Sequence, residues 1–294
     1  MNPLFEAVSS PFLAATDGSF SLDQTTTRGS ETASKKHWRK ALRAEVQQIA
    51  ELQHQLYAHD QFSLLLVFQA MDAAGKDSTI RNVLSGVNPT GCQVHSFKRP
   101  SSTELDHDFL WRTTRALPER GRIGVFNRSQ YEEVLVVRVH PGILKSQRIP
   151  IVTNGDALWQ QRLSSIADQE LHLARNGTVI IKFFLNVSKE EQRQRFLSRL
   201  QVAKKRWKFE PNDVKERAHW DDYMAAYEAA ISVTSKPWAP WYAIPADDKP
   251  AMRYIVADIV RRTLQALPIE FPAVKDEDQA EFDALERQLL AEAP

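Results

Sequence analysis

Residues 64–79 read LLLVFQAMDAAGKDST. The first half is a continuous apolar run, the pattern of a β-strand covered on both faces. The second half follows G-x-x-x-x-G-K-[ST], a loop whose backbone amides cradle phosphates, but with substitutions. Gly75 and Lys76 are in place, Ala70 stands for the first glycine, and Asp77 replaces the hydroxyl residue after the lysine. Asp72 adds an acid inside the loop. A bland reading lets Gly75 merely turn the chain into a helix. Context favours phosphate binding, because a loop between a buried strand and a helix aims amides and the positive helix end at one spot. Residues Ala73, Ala74, Gly75, Lys76, Asp77 and Ser78 are therefore the candidate phosphate cradle, with Lys76 reaching the outer phosphates. The hydroxyl normally helps to hold Mg²⁺. Without it, Asp72 is the candidate metal residue, directly or through water, because Mg²⁺ takes oxygen ligands and keeps several waters. Mg²⁺ is the expected cofactor, with Mn²⁺ as the alternative ion. Asp77 has two readings, a second metal contact or a first-turn acid favoured by the helix dipole, and the second is preferred.

The chain has 294 residues, enough for one large α/β domain or two small ones. Its 38 basic and 37 acidic residues nearly cancel, so any basic surface must be local, and no nucleic-acid partner is announced. The single cysteine, Cys92, excludes a disulfide framework and a Cys-rich metal site, and fits a cytoplasmic location. No run approaches ~18 apolar residues, so no membrane span is expected, and the first 20 residues lack the basic start of a signal peptide.

Outward from the opening stretch, strands alternate with helices. Residues 36–58 place Leu42, Val46, Ile49, Leu52 and Leu56 at helical spacing. CQVHSFK reads as a second strand, STELDHDFLWRTTRAL as a helix and GRIGVFN as a third strand. RSQYEEVLVVRV reads as a helix, and so does GDALWQQRLSSIADQELHLARNG, closed by Gly177. TVIIKFFLNV is the strongest strand, followed by SKEE, a capping box of Ser188 and Glu191 that opens a further helix. VAKKRWKFEPND is a basic loop before a helix over DVKERAHWDDYMAAYEAAISVTS, and WYAIPA and KPAMRYIVADIVRRTLQAL make the last strand and core helix. The pattern predicts an α/β domain with a parallel sheet and helices on both faces. Residues 1–35 are expected to form a flexible arm, 36–267 the domain, and 268–294 an acidic tail with one further helix as a reading of it.

The third strand ends where a phosphate-loop protein usually carries a metal-assisting aspartate. Asn127 stands there, able to cap the next helix or accept a hydrogen bond, but without charge. Arg128 follows at the carboxyl end of the strand, where open α/β sheets keep their ligands. Glu132 and Glu133 lie a turn further on, as helix-surface acids or as residues that orient an acceptor or a second metal.

Together MDAAGKDSTI, GRIGVFNRSQYEEVLVVRVHP, KKRWKFEPNDVKERAHWDDYMAAYEAA and APWYAIPADDKPAMR resemble the polyphosphate kinase 2 family. The resemblance spans about residues 38 to 267 in four ordered blocks. It implies a P-loop kinase-like three-layer α/β/α sandwich with a basic helical lid near residues 200–213. It implies transfer of the terminal phosphoryl of inorganic polyphosphate to adenine nucleotides. Asp72 and Lys76 match the family's Walker A aspartate and lysine, and Arg128 the arginine of its FDRS motif. The asparagine variant resembles the class III subgroup, which acts on both AMP and ADP. Lys204, Lys205, Arg206 and Lys208 match the lid loop. A homo-oligomer, dimer or tetramer, fits the family.

On this reading the catalytic residues are Asp72, Lys76, Arg128, Asn127 and Glu133. Catalysis is mainly positioning and charge neutralisation, since the acceptor is already an anion. Lys98 and Arg99 line the donor's path, Arg195 and Arg199 are weaker gripping candidates, and Arg128, Glu132 and Trp207 face the nucleotide, with closure of the lid against the core as the preferred use of Trp207. Two rivals remain: a nucleotide kinase using ATP as donor, and a catalytically silent polyphosphate-binding module. No G-x-S-x-G or H-E-x-x-H motif supports other chemistry.

Overall fold

A computed structural model describes residues 5–29, 33–149 and 155–292. Its centre is β1 (Ser63–Gln69), buried along its whole length, as its apolar run requires. The parallel sheet has the order β2-β3-β1-β4-β5, with β2 (Cys92–Ser96), β3 (Ile123–Asn127), β4 (Thr178–Asn186) and β5 (Trp241–Pro245). Phe68 of β1 lies between Asn127 of β3 and Phe183 of β4. After β3 the chain crosses to the other side of β1. The strand order therefore reverses beside the carboxyl ends of these three strands, where open sheets form their ligand crevice.

The helices are α1 (Lys35–His59), α2 (Lys76–Val83), α3 (Ser102–Leu105), α4 (Trp111–Thr114), α5 (Val136–Val139), α6 (Asp156–Arg175), α7 (Lys189–Gln201), α8 (Pro211–Ala218), α9 (Trp220–Thr234), α10 (Lys249–Ala266) and α11 (Asp276–Ala291). Helices α1, α2 and α10 pack together, and α5, α6 and α9 form a second group. With the sheet these make the expected three-layer α/β/α sandwich. Among the described residues no helix is long and apolar enough to cross a membrane.

Several expectations change in detail. Residues 102–117 are not one helix but the short α3 and α4. Asp108 accepts from the Leu110 amide at 2.9 Å and so competes with helix continuation. RSQYEEVLVVRV likewise divides into a 3₁₀ turn, Gln130–Glu133, and α5. Its β-branched valines are weak helix formers. The helix expected over 213–235 breaks at His219, which frees α9 to bury Trp220, Tyr223 and Tyr227. Only half of the capping box at α7 forms: the Ser188 hydroxyl accepts from the Glu191 amide at 3.1 Å. The Ser188 amide instead donates to Asp247, while Glu191 pairs with Arg195.

Residues 5–29 are not a free arm. The Ala14 amide donates to the Trp241 carbonyl, the Ala243 amide donates to the Phe12 carbonyl, and Leu13 bridges Tyr242. Phe5, Ala14 and Phe20 are buried. Sparse apolar residues in a polar segment are enough to cover the sheet's β5 edge, which would otherwise be left unpaired.

A buried polar cluster fixes the crevice floor. Lys182 of β4 is fully buried and donates to Glu170 of α6, to the Tyr131 hydroxyl at 3.0 Å and to the Thr234 carbonyl at 2.8 Å. The Tyr131 hydroxyl donates to Glu170 at 2.8 Å. Burial pushes the Lys182 ammonium down and the Glu170 carboxyl up, each opposed by the other's charge. The cluster pins the turn after β3, and so Arg128, to β4, α6 and α9.

Candidate active site

The loop after β1 and the N-terminus of α2 open onto a cleft of about 950 Å³ at the carboxyl edge of the sheet. Gly75 caps α2 with φ of 115°, a conformation that favours glycine. A β-carbon there would also touch Met252 and Lys249 of α10. Ala73 adopts a left-handed φ of 62°, which costs about 1–2 kcal/mol for a residue with a β-carbon.

Arg195 holds that conformation. It is 8% exposed and donates to the carbonyls of Ala73 and Ala74 on one side, and of Ala246 and Asp247 on the other. Its remaining N–H donates to Glu191 at 2.7 Å. The guanidinium reaches the cleft, but its donors are engaged by the loop backbone.

Lys76 donates to the carbonyl of Ala70 at 2.8 Å. Here the missing first glycine supplies an anchor for the lysine. Burial lowers the Lys76 pKa, and Arg128 adds to the effect. Arg128 also has a left-handed φ, 65°, and its amide donates to the Phe68 carbonyl, tying the end of β3 to β1. Its guanidinium lies 3.1 Å from Asp72 and 3.4 Å from Glu132. Glu132 and Asp72 push the Arg128 pKa up against burial. Asn127 donates to Asp77 at 2.6 Å. Asp77 thus has a hydrogen-bond partner that neither of its sequence readings foresaw.

The rest of the lining is basic. Lys98, Arg99, Arg199, Lys205, Lys208, Lys249 and Arg253 line the cleft. The 3₁₀ turn Ala203–Lys208 is tied to α7, with Arg199 donating to the Lys208 carbonyl and to Asp213, and Lys205 to Ser198.

Not every expected residue converges. Glu133 is 6% exposed and faces away, accepting from Arg162 at 3.0 Å and Gln147 at 2.5 Å. Glu132 holds Arg128 and does not line the cleft. Lys204, Arg206 and Trp207 also lie outside its lining; Arg206 caps the Leu200 carbonyl, and Trp207 is 79% exposed. Lys249 and Arg253 were not among the sequence candidates. The signal for them was present: a Lys/Arg pair one helical turn apart, directly after a strand of a parallel sheet.

A second cavity, of about 410 Å³, is lined by Pro100, the residue after Arg99 of the first. Phe109, Leu158 and Ile149 give it apolar walls, and its charged groups are three arginines, Arg112, Arg148 and Arg162, and three acids, Glu104, Asp108 and Glu133.

A buried strand, an amide-lined loop, a lysine and a cationic wall define a P-loop phosphotransfer enzyme. Comparison with known proteins agrees. The family described as Polyphosphate kinase 2 (PPK2) matches residues 32–272. The ADP-polyphosphate phosphotransferase of Rhodopseudomonas palustris is 55% identical over 258 residues, 87% of this chain and 89% of that one. The AMP/ADP-polyphosphate phosphotransferase of Meiothermus ruber is 46% identical over 233 residues, 79% of this chain and 83% of that one. The crystal structure of polyphosphate kinase 2 from Arthrobacter aurescens superposes with a TM-score of 0.84 at 36% identity, covering 96% of this chain and 99% of that one. The chain belongs to the polyphosphate kinase 2 family.

Proposed function

We propose that this enzyme transfers the terminal phosphoryl of inorganic polyphosphate to AMP and to ADP, reversibly. The observation that carries this reading is the cleft's charge: beside the P-loop it is lined by Lys98, Arg99, Arg199, Lys205, Lys208, Lys249 and Arg253. Similarity to phosphotransferases acting on ADP, or on AMP and ADP, supports the acceptor class.

The amides of residues 73–78 and Lys76 hold the donor's terminal phosphates, and Arg128 offsets charge on the group in transfer. Lys98, Lys205 and Lys208 align the rest of the donor. Arg195 acts through the loop it clamps. The second cavity takes the acceptor's nucleoside, with Phe109 against the base and its arginines toward polar edges. Glu133 then works as the partner that orients Arg162.

The donor set fits a hard divalent cation. Among the described residues no three His, Cys, Asp or Glu side chains converge as a ligand cage. Asp72 suits an ion such as Mg²⁺ or Mn²⁺ that would draw its remaining ligands from phosphate oxygens and water, and Asp77, exposed on the same lining, is a second carboxylate there. Such an ion supplies charge neutralisation between donor and acceptor phosphates. A homo-oligomer belongs to the same reading, supported by the exposed row Phe282, Leu285 and Leu289 on α11.

Donor competition tests the proposal. With AMP or ADP as acceptor, polyphosphate should support turnover and ATP should not replace it for AMP. Turnover with ATP alone at a comparable rate makes the protein a conventional nucleotide kinase. No turnover with either donor leaves only binding.

A further inference from the structure

The cationic wall does not stop at the cleft. Arg253 lines the cleft from the second turn of α10, and its buried Nε has no hydrogen-bond partner among the described residues. Lys249, one turn earlier, also lines the cleft, its Cε 3.7 Å from the position a Gly75 β-carbon would take. The helices beside α10 add more cations. Arg81 sits in the last turn of α2, and Arg39 in the second turn of α1, next to Trp38, whose ring packs 5.1 Å from that of Tyr254. Arg39 and Arg81 are exposed. Among the described residues, none of Lys249, Arg253, Arg81 and Arg39 makes an ion pair.

Several other arginines of this chain are closely paired, Arg162 with Glu133, Arg195 with Glu191 and Arg261 with Glu45 and Asp258. Around the half-buried Arg253, by contrast, further cations gather. Unpaired like charges on adjoining helices repel, and the repulsion is felt here. Burial lowers the Arg253 pKa, and Arg81, Arg39 and Arg195 lower it further. A half-buried arginine under this repulsion, with no ion pair among the described residues, suits an external anion.

We propose that Lys249, Arg253, Arg81 and Arg39 form an outer binding track, along which the distal part of a long polyphosphate donor leaves the cleft over α10, α2 and α1. The inference rests on the donor assigned above and extends it: the enzyme holds more of the chain than the phosphates near the reaction. The track starts at the P-loop, where the donor's reacting end lies, which favours a continuation of the same chain over an unrelated polyanion. Its contacts are to phosphate oxygens only, so they add affinity without setting which group is transferred.

The test compares chain lengths. Arg39→Glu, Arg81→Glu and the double variant are assayed with long-chain polyphosphate and with tripolyphosphate, at fixed AMP and Mg²⁺. Arg287→Glu on exposed α11 controls for net charge, and thermal melts confirm folding. The double variant should raise the KM for the long chain about three- to tenfold, from two exposed contacts with their charge reversed. The long-to-short KM ratio should move while kcat stays, and the salt dependence of long-chain binding should flatten. A long-chain KM within twofold of wild type, an equal rise for both donors, or the same rise in Arg287→Glu would overturn the track. If wild type turns over neither polyphosphate, the donor assignment fails instead, a result seen before any variant is made.

Discussion

The two walls of the cleft treat charge in opposite ways. On the wall built from the loop after β1 and the turn after β3, each charge has a partner: Asp72 with Arg128, Arg128 with Glu132, Asp77 with Asn127. On the wall built from the 3₁₀ turn and α10, Lys208, Lys249 and Arg253 make no ion pair among the described residues, although Arg199 beside them pairs with Asp213. The paired wall is pre-organised, so its groups need not rearrange as charge moves in the transition state. The unpaired wall leaves its cations available to a polyanion. Losses on the first should therefore appear in kcat and losses on the second in KM.

The largest expected effect is at Lys76. Lys76→Ala removes a cation held 2.8 Å from the loop carbonyl of Ala70. It should lower kcat by about 10²–10³-fold, the range for losing one pre-organised donor in a shielded site. Steady-state kinetics with polyphosphate and ADP check this. A change confined to KM would place Lys76 with the basic wall.

Arg195→Lys tests the boundary between the walls. Lysine keeps the charge but not the fork that binds four backbone carbonyls. With the loop unclamped, Ala73 is free to leave its left-handed conformation. We expect kcat to fall about tenfold or more, by roughly the 1–2 kcal/mol stored there, with little change in the KM for polyphosphate. A rise in KM with kcat intact would make Arg195 a gripping residue after all.

These two residues also show what could be read in advance. The buried strand, the Gly75–Lys76 corner and the alternation of strands and helices are local, and residue spacing alone displays them. The clamp by Arg195 is not local: it lies 121 residues from Ala74 along the chain. Its role becomes visible only once β4 lies beside β1 and α7 follows. Glu133 was misread for a related reason. Had RSQYEEVLVVRV been one helix, Glu132 and Glu133 would have been neighbouring surface acids of similar use. The 3₁₀ turn instead sends Glu132 toward Arg128 and Glu133 toward Arg162. The N-terminal segment was misread because composition reports polarity, whereas its docking depends on a few residues, Phe5, Ala14 and Phe20, meeting a bare strand edge. Lys249 and Arg253 needed only the rule that ligands collect at the carboxyl ends of parallel strands, applied to β5 as well as to β1 and β3.

A smaller effect is expected at Asn127. Asn127→Asp places two carboxylates where an amide now donates to Asp77 at 2.6 Å. Such a pair is tolerated only if one is protonated or a cation lies between. In chelator the variant should be less stable than wild type by about 1 kcal/mol, roughly one pKa unit of carboxylate repulsion, and divalent metal should restore it. Thermal melts with and without metal measure this, and the AMP-to-ADP preference measured alongside tests residue 127 as selector. Equal metal responses in both proteins would mean that Asp77 and residue 127 do not share a cation.

The smallest effect is one of pH. Burial, then repulsion from Arg195, Arg253 and Lys205, lowers the Lys249 pKa to about 8, against the opposing pull of Glu191. Its charge is therefore present at pH 7 and lost as pH rises through about 8, so the unpaired wall weakens in mild alkali. On the paired wall Arg128 is held cationic by Glu132 and Asp72, whereas burial and Arg128 lower the Lys76 pKa, so the share of Lys249 is read by comparison with a variant at that position. Between pH 7 and 9 the KM for polyphosphate should rise roughly threefold, the value of one contact of ~0.2–1 kcal/mol. Lys249→Arg should flatten the rise, because a guanidinium stays charged throughout this range. Any titration of the substrate is common to both proteins and cancels in the comparison. The same slope in wild type and Lys249→Arg would remove Lys249 from the donor's path and leave Arg253 as the cation of α10 that faces it.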